Sequence, residues 1–202
     1  MKKVFLLCLG CALSMAAIAQ TEKGTKFLGA SVGNLSYRTE DNSIYISAAI
    51  YPSVGVFVVD NLLLGSNLRL GYERSRNEGS LGDFERRTIV YGLSPFVRYY
   101  FAGSNAHRFF GQISGGITWY NTKIKDRYTT GNLINRTSKE DFSTFGGALG
   151  YNYFLTPSAA LEVTAGYTRD TNGPSPATGV LDIRAGFVVF LPSKKAATAP
   201  TQ

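Results

Sequence analysis

Few side chains in this sequence can serve as a nucleophile, a general base or a ligand of a transition metal. The chain has 202 residues, with one histidine, His107, and two cysteines, Cys8 and Cys11. A histidine-based catalytic centre needs a neighbouring nucleophile, and a zinc site needs about four nitrogen, sulfur or carboxylate ligands. We therefore expect no catalytic residues, no metal and no cofactor, and the sequence predicts a protein that is not an enzyme.

One polar stretch contains three carboxylates, Asp126, Glu140 and Asp141, whose oxygens are of the kind that bind divalent cations. Bases are interspersed among them, namely Lys123, Lys125, Arg127, Arg136 and Lys139. Mixed charge of this kind is typical of a solvated loop, so the sequence favours a plain surface segment over a cation site.

The first residues have the pattern of a secretory signal peptide. Two lysines precede an apolar run, and a small-x-small cleavage pattern ends at Ala19. We expect residues 1–19 to be removed, so that the mature chain begins at Gln20 and contains neither cysteine. The alternative is a lipoprotein signal with Cys11 as the acylated residue, although its apolar run would be very short.

The overall composition favours β-structure. The chain has 22 Gly, 12 Tyr and 13 Phe, and only 17% of its residues are charged. A hydrophobic content of 44% excludes disorder as the default state. The formal net charge is +7, but no block of Lys and Arg of the kind that follows nucleic-acid phosphates is present, so we expect no nucleic-acid partner.

Apolar residues alternate with small or polar residues in eight segments after Gln20, and no stretch of ten residues keeps a helical period. In the third segment, Asn67 and Arg69 share the polar face. Its other face contains Leu62, Leu64, Leu68, Leu70 and Tyr72. The first segment, about Lys26–Tyr37, alternates poorly past Val32, so its register stays open.

Short and long connections alternate between these segments. The short ones are Asp60–Asn61, Gly103–His107 and Thr156–Ser158. The longer polar ones are Arg38–Ser43, Arg74–Arg87, Lys123–Asp141 and Arg169–Thr178. This rhythm predicts an up-and-down sheet with its long loops at one end. His107 then lies at the opposite end, where a turn or interfacial role is expected, and residues 192–202 are expected to be a disordered tail.

The alternation does not say which face is wet, but three features favour an apolar face against lipid. The residues of the polar face are mostly small, namely Gly, Ser, Thr and Asn, and none of them is a lysine at mid-strand. Its few charges are balanced, with Arg69, Arg98 and Arg184 facing Glu73, Glu162 and Asp182. Aromatic residues lie toward the strand ends of the apolar face, as in an interfacial girdle: Tyr72, Tyr99, Trp119, Tyr153 and Tyr167.

The sequence therefore predicts an all-β fold, an eight-stranded antiparallel up-and-down transmembrane β-barrel over residues 20–191. The alternative is an exported soluble barrel that binds an apolar ligand. Pro52 and Pro95 lie within predicted strands, where each forfeits a ladder hydrogen bond. We expect a β-bulge near the short-turn end to accommodate them.

These features together resemble the small eight-stranded outer-membrane β-barrels of Gram-negative bacteria, the OmpX-like and OmpA-barrel-like porin superfamily. The resemblance rests on the signal ending at Ala19, the strand Pro52–Gly55 that runs into the turn at Asp60, and the last segment. That segment resembles the closing-strand signal read by the outer-membrane insertion machinery, with Ile183, Ala185, Phe187, Val189 and Leu191 as its members. The family usually ends on an aromatic residue, whereas this chain has Leu191 and eleven further residues.

The resemblance implies an outer-membrane location and contact with membrane lipid, and we expect a monomer. The charge of the bases between Lys123 and Lys139 alone suggests contact with lipopolysaccharide phosphates. We expect a non-enzymatic protein with a lumen filled by side chains and with polar loops for surface structure or interaction. A narrow pore for small solutes is the alternative, although eight strands leave an interior that side chains just fill. We also expect the six lumen charges to pair as a plug, with Glu162 and Arg184 as the most plausible partners.

Overall fold

The computed structural model describes residues 21–192, except residues 80–81, 102, 105, 129–132 and 174–175 and the side chain of Tyr128. The predicted cleavage site at Ala19 and Gln20 and the tail after Pro192 lie outside the described residues. Within this part of the chain, no helix has the length and hydropathy needed to cross a membrane.

Eight antiparallel strands form one sheet that closes on itself in chain order. The strands are β1 (Lys26–Glu40), β2 (Ser43–Val59), β3 (Leu62–Gly79), β4 (Gly82–Tyr100), β5 (His107–Tyr128), β6 (Leu133–Thr156), β7 (Ala159–Thr171) and β8 (Thr178–Leu191). The ring is completed where Lys26–Gly33 of β1 pairs with Arg184–Leu191 of β8. The predicted all-β, eight-stranded up-and-down barrel is confirmed.

Alternate residues of each strand point to opposite sides of the barrel wall. In β3, Leu63 is fully buried inside, whereas its neighbour Leu64 is 41% exposed outside. The outer surface is a continuous apolar belt that includes Leu28, Val32, Ile50, Val54, Leu68, Leu70, Ile89, Leu93, Val97, Ile113, Ile117, Leu149, Val163, Ile183 and Phe187. A soluble barrel would hide this surface, and lipid requires it, so the barrel is a transmembrane one.

Four strands are longer than the sequence indicated. β3 and β4 stay paired up to Gly79 and Gly82, and β5 and β6 stay paired up to Arg127 and Leu133. The predicted long loops at Arg74–Arg87 and Lys123–Asp141 are therefore wrong, as these residues continue the hairpins. Charged and polar residues form strands here because neighbouring strands provide hydrogen-bond partners for their backbone groups, while their side chains are solvated. We call residues 74–79, 82–87, 121–128 and 133–142 the raised sheet.

The irregular alternation of the first strand has a structural cause. The pairing of β1 with β2 shifts between Gly33 and Ser36, so β1 contains one extra residue there. Asn34 lies in this bulge with a φ of 53°, in the left-handed region that asparagine tolerates better than most residues. The period of two is lost past Val32 because the bulge moves the following side chains to the other face.

The two strand prolines do not cause the bulge predicted for them. Pro52 pairs with Ala30 of β1, and Pro95 pairs with Ser66 of β3, both without a shift in register. On the other side of each proline the ladder is interrupted and then resumes in the same register. At each proline the ladder therefore loses two residue pairs without a change of register, and the bulge at the end of β2 lies beyond Phe57 instead.

The exposed apolar belt generates a test of the membrane orientation. Leu68 is 45% exposed on the outer wall, and an Arg near mid-bilayer on that face costs about 2–4 kcal/mol. We expect Leu68→Arg to lower the free energy of unfolding in lipid vesicles by that amount, as measured by urea titration. Thr137→Arg, on the exposed raised sheet, is the control and should be neutral. Equal losses in both variants would contradict the assigned lipid face.

Candidate functional site

The short-turn half of the barrel interior is filled by apolar side chains. We call this cluster the aromatic plug, and its members are Phe27, Phe57, Leu63, Phe96, Tyr100, Phe110, Phe154, Ala160, Val188 and Phe190. None is more than 7% exposed. Phe190 lies at the centre, with its ring 5.6 Å from that of Phe27 and 5.1 Å from that of Phe154. Such ring pairs add about 0.5–1.5 kcal/mol beyond the area that they bury.

The aromatic plug was not predicted, although the sequence contains its signal. Phe110 shares the inward parity of Gln112, and Phe57 shares that of Gly55. The interior is therefore divided into an apolar half near the short turns and a polar half near the raised sheet.

The segment before β1 covers the short-turn end of the plug. The backbone N–H of Gly24 donates to the carbonyl of Phe57 at 2.7 Å, and that of Asn61 donates to the carbonyl of Thr21 at 2.8 Å. Arg108 donates to the hydroxyl of Thr21 at 2.8 Å and to the side-chain oxygen of Asn61 at 3.1 Å. Thr21 is only 5% exposed, so its side chain packs against the short-turn end of the barrel.

A buried ion pair lies directly above the aromatic plug. Arg98 of β4 donates to both carboxylate oxygens of Glu162 of β7, at 2.6 and 3.2 Å. Their side chains are 4% and 8% exposed. Arg98 also donates to Gln112 at 2.9 Å and to the Tyr100 hydroxyl at 3.1 Å, and its guanidinium lies 3.8 Å from the Phe110 ring centroid. These contacts replace the hydrogen bonds to water that the guanidinium loses when it is buried.

The predicted pairing of Glu162 with Arg184 is wrong. Glu162 turns across the interior to Arg98, and Arg184 donates instead to Asp182 on its own strand. The Arg184 guanidinium also lies 3.9 Å from the centroid of the Tyr51 ring. In a narrow barrel, ion pairs are not restricted to neighbouring strands, because a long arginine side chain reaches strands on the opposite wall.

The remaining two predicted lumen charges, Arg69 and Glu73, form no ion pair with another described residue. Arg69 donates to the Tyr120 hydroxyl at 3.4 Å. That hydroxyl in turn donates to Asp170, at 3.5 Å. Asp170 is 7% exposed and was missed by the sequence analysis, although it continues the inward parity of Glu162 along β7.

A cavity of about 80 Å³ lies in the polar half, beyond the Arg98–Glu162 pair. Side chains of several strands contribute to its wall. Its lining includes Asn34, Tyr51, Asn67, Arg69, Ser94, Ser114, Thr118, Tyr120, Thr144, Thr168, Asp170, Val180, Asp182 and Arg184. This polar cavity is the candidate functional site of the barrel interior.

The predicted girdle aromatics lie on the outer wall at exposures between 36% and 53%: Tyr72, Tyr99, Trp119, Tyr153 and Tyr167. Trp119 stacks on Tyr91 of the neighbouring strand, with 5.5 Å between ring centroids. The predicted closing-strand residues lie on β8, where Ile183, Phe187 and Leu191 are exposed, Ala185 shares their face and Val189 is half-buried. Their recognition by the insertion machinery stays a prediction.

The only histidine lies at the short-turn end, as expected from its position in the sequence. The His107 Nδ1 atom is 2.5 Å from the Tyr151 hydroxyl, and the two rings stack.

The carboxylate of Asp126, which the sequence offered for a cation, faces Arg136, at 3.7 Å between their charged groups. No group of three His, Cys, Asp or Glu side chains among the described residues is placed to hold a metal ion.

Comparison with known proteins finds similar barrels among solved structures. The outer membrane protein OprG of Pseudomonas aeruginosa is 15% identical, with 87% of this chain and 99% of that chain covered and a TM-score of 0.47. The N-terminal β-barrel domain of OprF from the same organism is 12% identical (84% and 98% covered, TM-score 0.45). Neisserial surface protein A is 14% identical (84% and 99% covered, TM-score 0.41). No protein-family model and no curated protein matches the chain.

The Arg98–Glu162 pair generates a prediction on stability. Arg98→Leu alone should lower the free energy of unfolding by about 3–5 kcal/mol, because Glu162 stays buried without its partner. The double variant Arg98→Leu/Glu162→Leu should lose less than the sum of the single losses, as measured by urea unfolding in vesicles. Arg184→Leu combined with Glu162→Leu is the control and should be additive. Additive losses for the first pair would contradict the assigned contact.

Proposed function

We propose that this protein is a closed, non-enzymatic outer-membrane barrel that holds the raised sheet outside the lipid for surface structure or interaction. The observation that carries the proposal is the combination of a filled interior with strands that continue, still paired, beyond the apolar belt. Export through the predicted signal and insertion as a monomer belong to the same proposal. Within the membrane the ring leaves no strand edge for a partner subunit.

The filled interior favours the closed barrel over a narrow pore. The aromatic plug and the segment at Thr21 occupy the short-turn half, and a solute would have to displace rings that are almost completely buried. An eight-stranded barrel has an interior that side chains just fill. The cavity beyond Arg98 therefore ends blindly at the plug and does not form part of a channel.

The raised sheet supports a surface role because one of its edges is open. β7 pairs with β6 only from Ser143 onward, so Leu133–Phe142 of β6 has no neighbour on that side among the described residues. Unpaired backbone groups along an edge can accept an extended segment of another protein as an additional strand. Charged residues such as Lys139 and Glu140 on this edge are of the kind that prevents indiscriminate association.

Electrical recording tests the closed barrel. We expect the purified protein in planar lipid bilayers to give no conductance steps, because the plug leaves no water-filled path. A variant with Phe57→Ala and Phe190→Ala should conduct more than the wild type, since it removes two central rings. Steady conductance of the wild-type protein would favour the narrow pore instead.

A row of bases supports lipopolysaccharide as a lipid partner. Three bases are register neighbours, Arg74 on β3, Arg87 on β4 and Lys123 on β5. Arg74 and Arg87 lie two residues beyond Tyr72 and Ile89 of the apolar belt, toward the raised sheet. All three side chains point outward, toward the level at which lipid phosphates lie. Guanidinium groups bind phosphate oxygens in a bidentate manner.

One carboxylate lies within this row of bases. Glu85 accepts from Arg74 at 2.8 Å and from Arg87 at 2.9 Å. The hydrogen bond from Arg87, together with Arg74, lowers the pKa of Glu85 below its usual range. The carboxylate is therefore ionised at neutral pH and aligns the two guanidiniums, while the row keeps an excess of positive charge.

Unfolding in defined vesicles tests the lipid partner. Lipopolysaccharide should raise the urea midpoint of the wild type above its value in phospholipid alone, because phosphates bind the folded barrel. Arg87→Gln combined with Lys123→Gln should lose most of that rise. Arg127→Gln combined with Lys125→Gln, farther from the belt, is the matched control and should keep it. Equal losses in the two double variants would indicate a general charge effect and contradict the assigned row.

A further inference from the structure

The cavity in the polar half of the lumen contains two opposite charges that do not meet. Arg69 reaches it from β3 and Asp170 reaches it from β7. No ion pair joins these two side chains, both of which belong to the described part of the chain. Both reach the Tyr120 hydroxyl instead, at 3.4 and 3.5 Å, which are long distances for hydrogen bonds of charged groups.

Each of the two charged groups has a buried polar atom without a partner. These atoms are Nε of Arg69 and Oδ1 of Asp170. Asp170 is only 7% exposed, so bulk water does not compensate its charge. A buried polar atom of a charged group that has no hydrogen-bond partner is costly. The cavity therefore presents one unsatisfied donor and one unsatisfied acceptor of opposite charge.

The other charged pair of the cavity is already satisfied. Arg184 donates to Asp182, and its guanidinium lies 3.9 Å from the centroid of the Tyr51 ring, so these two charges compensate each other. Thr118 and Thr144 contribute hydroxyls, which lie 3.2 Å from each other. Among the charged residues that line the cavity, Arg69 and Asp170 are thus the two without an ion pair to another described residue.

We propose that this cavity binds a small zwitterion of the α-amino acid class, with its carboxylate on Arg69 and its ammonium group on Asp170. A simple anion would bring its charge close to Asp170, and a simple cation would bring its charge close to Arg69. A ligand with both charges satisfies both groups at once. This inference goes beyond the proposed surface role and requires no passage through the barrel.

The size of the cavity limits the ligand to the smallest members of this class. A water-sized site takes about 10–15 Å³, so a volume of about 80 Å³ admits about five to eight non-hydrogen atoms. Glycine fits this limit, and amino acids with long side chains exceed it. Val180, which is 39% exposed, lies at the rim and places the entrance on the side of the raised sheet.

Titration of the folded protein in nanodiscs tests the site, with amide chemical shifts in NMR as the readout. Glycine should give saturable shifts at residues 69, 120 and 170. Acetate and methylammonium, which each carry one of the two charges, should bind at least tenfold more weakly. Equal responses to all three probes would show binding without selectivity for a zwitterion, and absent or non-saturating shifts would show a cavity that holds water only. Either result would overturn the proposal.

Two variants assign the contacts. Arg69→Gln and Asp170→Asn should each weaken glycine binding at least tenfold, while Asp83→Asn on the raised sheet makes the same chemical change outside the cavity and should have no effect. Unchanged binding in both cavity variants would overturn the proposal. If a cavity variant fails to fold, the selectivity of the wild type among the three probes still decides. Bilayer conductance is measured separately, so failure of this site and failure of the closed barrel are distinguishable.

Discussion

Every backbone N–H and C=O group that enters hydrocarbon must have a hydrogen-bond partner within the protein. The closure of β1 on β8 satisfies this requirement, because it removes the two edges that an open eight-stranded sheet would present to lipid. Closure at this strand number also determines the width of the interior. A narrow interior lined by alternate residues has room for side chains and little else, so its content follows from the ring.

The interior is divided into an apolar half near the short turns and a polar half near the raised sheet. Near the short turns, the aromatic plug packs against the segment at Thr21. Directly above it, Arg98 is the point at which the apolar and polar halves meet. Its guanidinium lies on aromatic rings and donates to Glu162, so a single side chain contacts both halves. Burial of this charge is acceptable because nearly all of its donors have acceptors.

The outer part of the molecule is asymmetric. β3 to β6 continue past the apolar belt as the raised sheet. By contrast, β7 ends at Thr171 and β8 begins at Thr178. The difference leaves an open strand edge on β6, and Val180, a lining residue of the polar cavity, is 39% exposed near the start of the shorter β8. The same length difference therefore underlies both the proposed interaction edge and the proposed access to the ligand site.

The sequence alone predicted the number of strands, their order and, except past Val32 of β1, which residues share a face, because an alternation of period two is a local property. It also predicted the outward apolar residues, such as Leu64 and Leu68, and the inward charges at Arg98 and Glu162. It failed at Arg74–Arg87, since charged residues resemble a loop whenever the neighbouring strand that pairs with them is unknown.

Only the tertiary structure decided which inward side chains meet. Arg98 and Glu162 belong to strands that are not neighbours, and their contact depends on the tilt and closure of the whole ring. The same holds for the separation of Arg69 from Asp170 across the cavity. Parity along a strand states that a residue points inward. The height at which it reaches the lumen, and the opposite wall that it faces, follow from the stagger of all eight strands, which no local pattern contains.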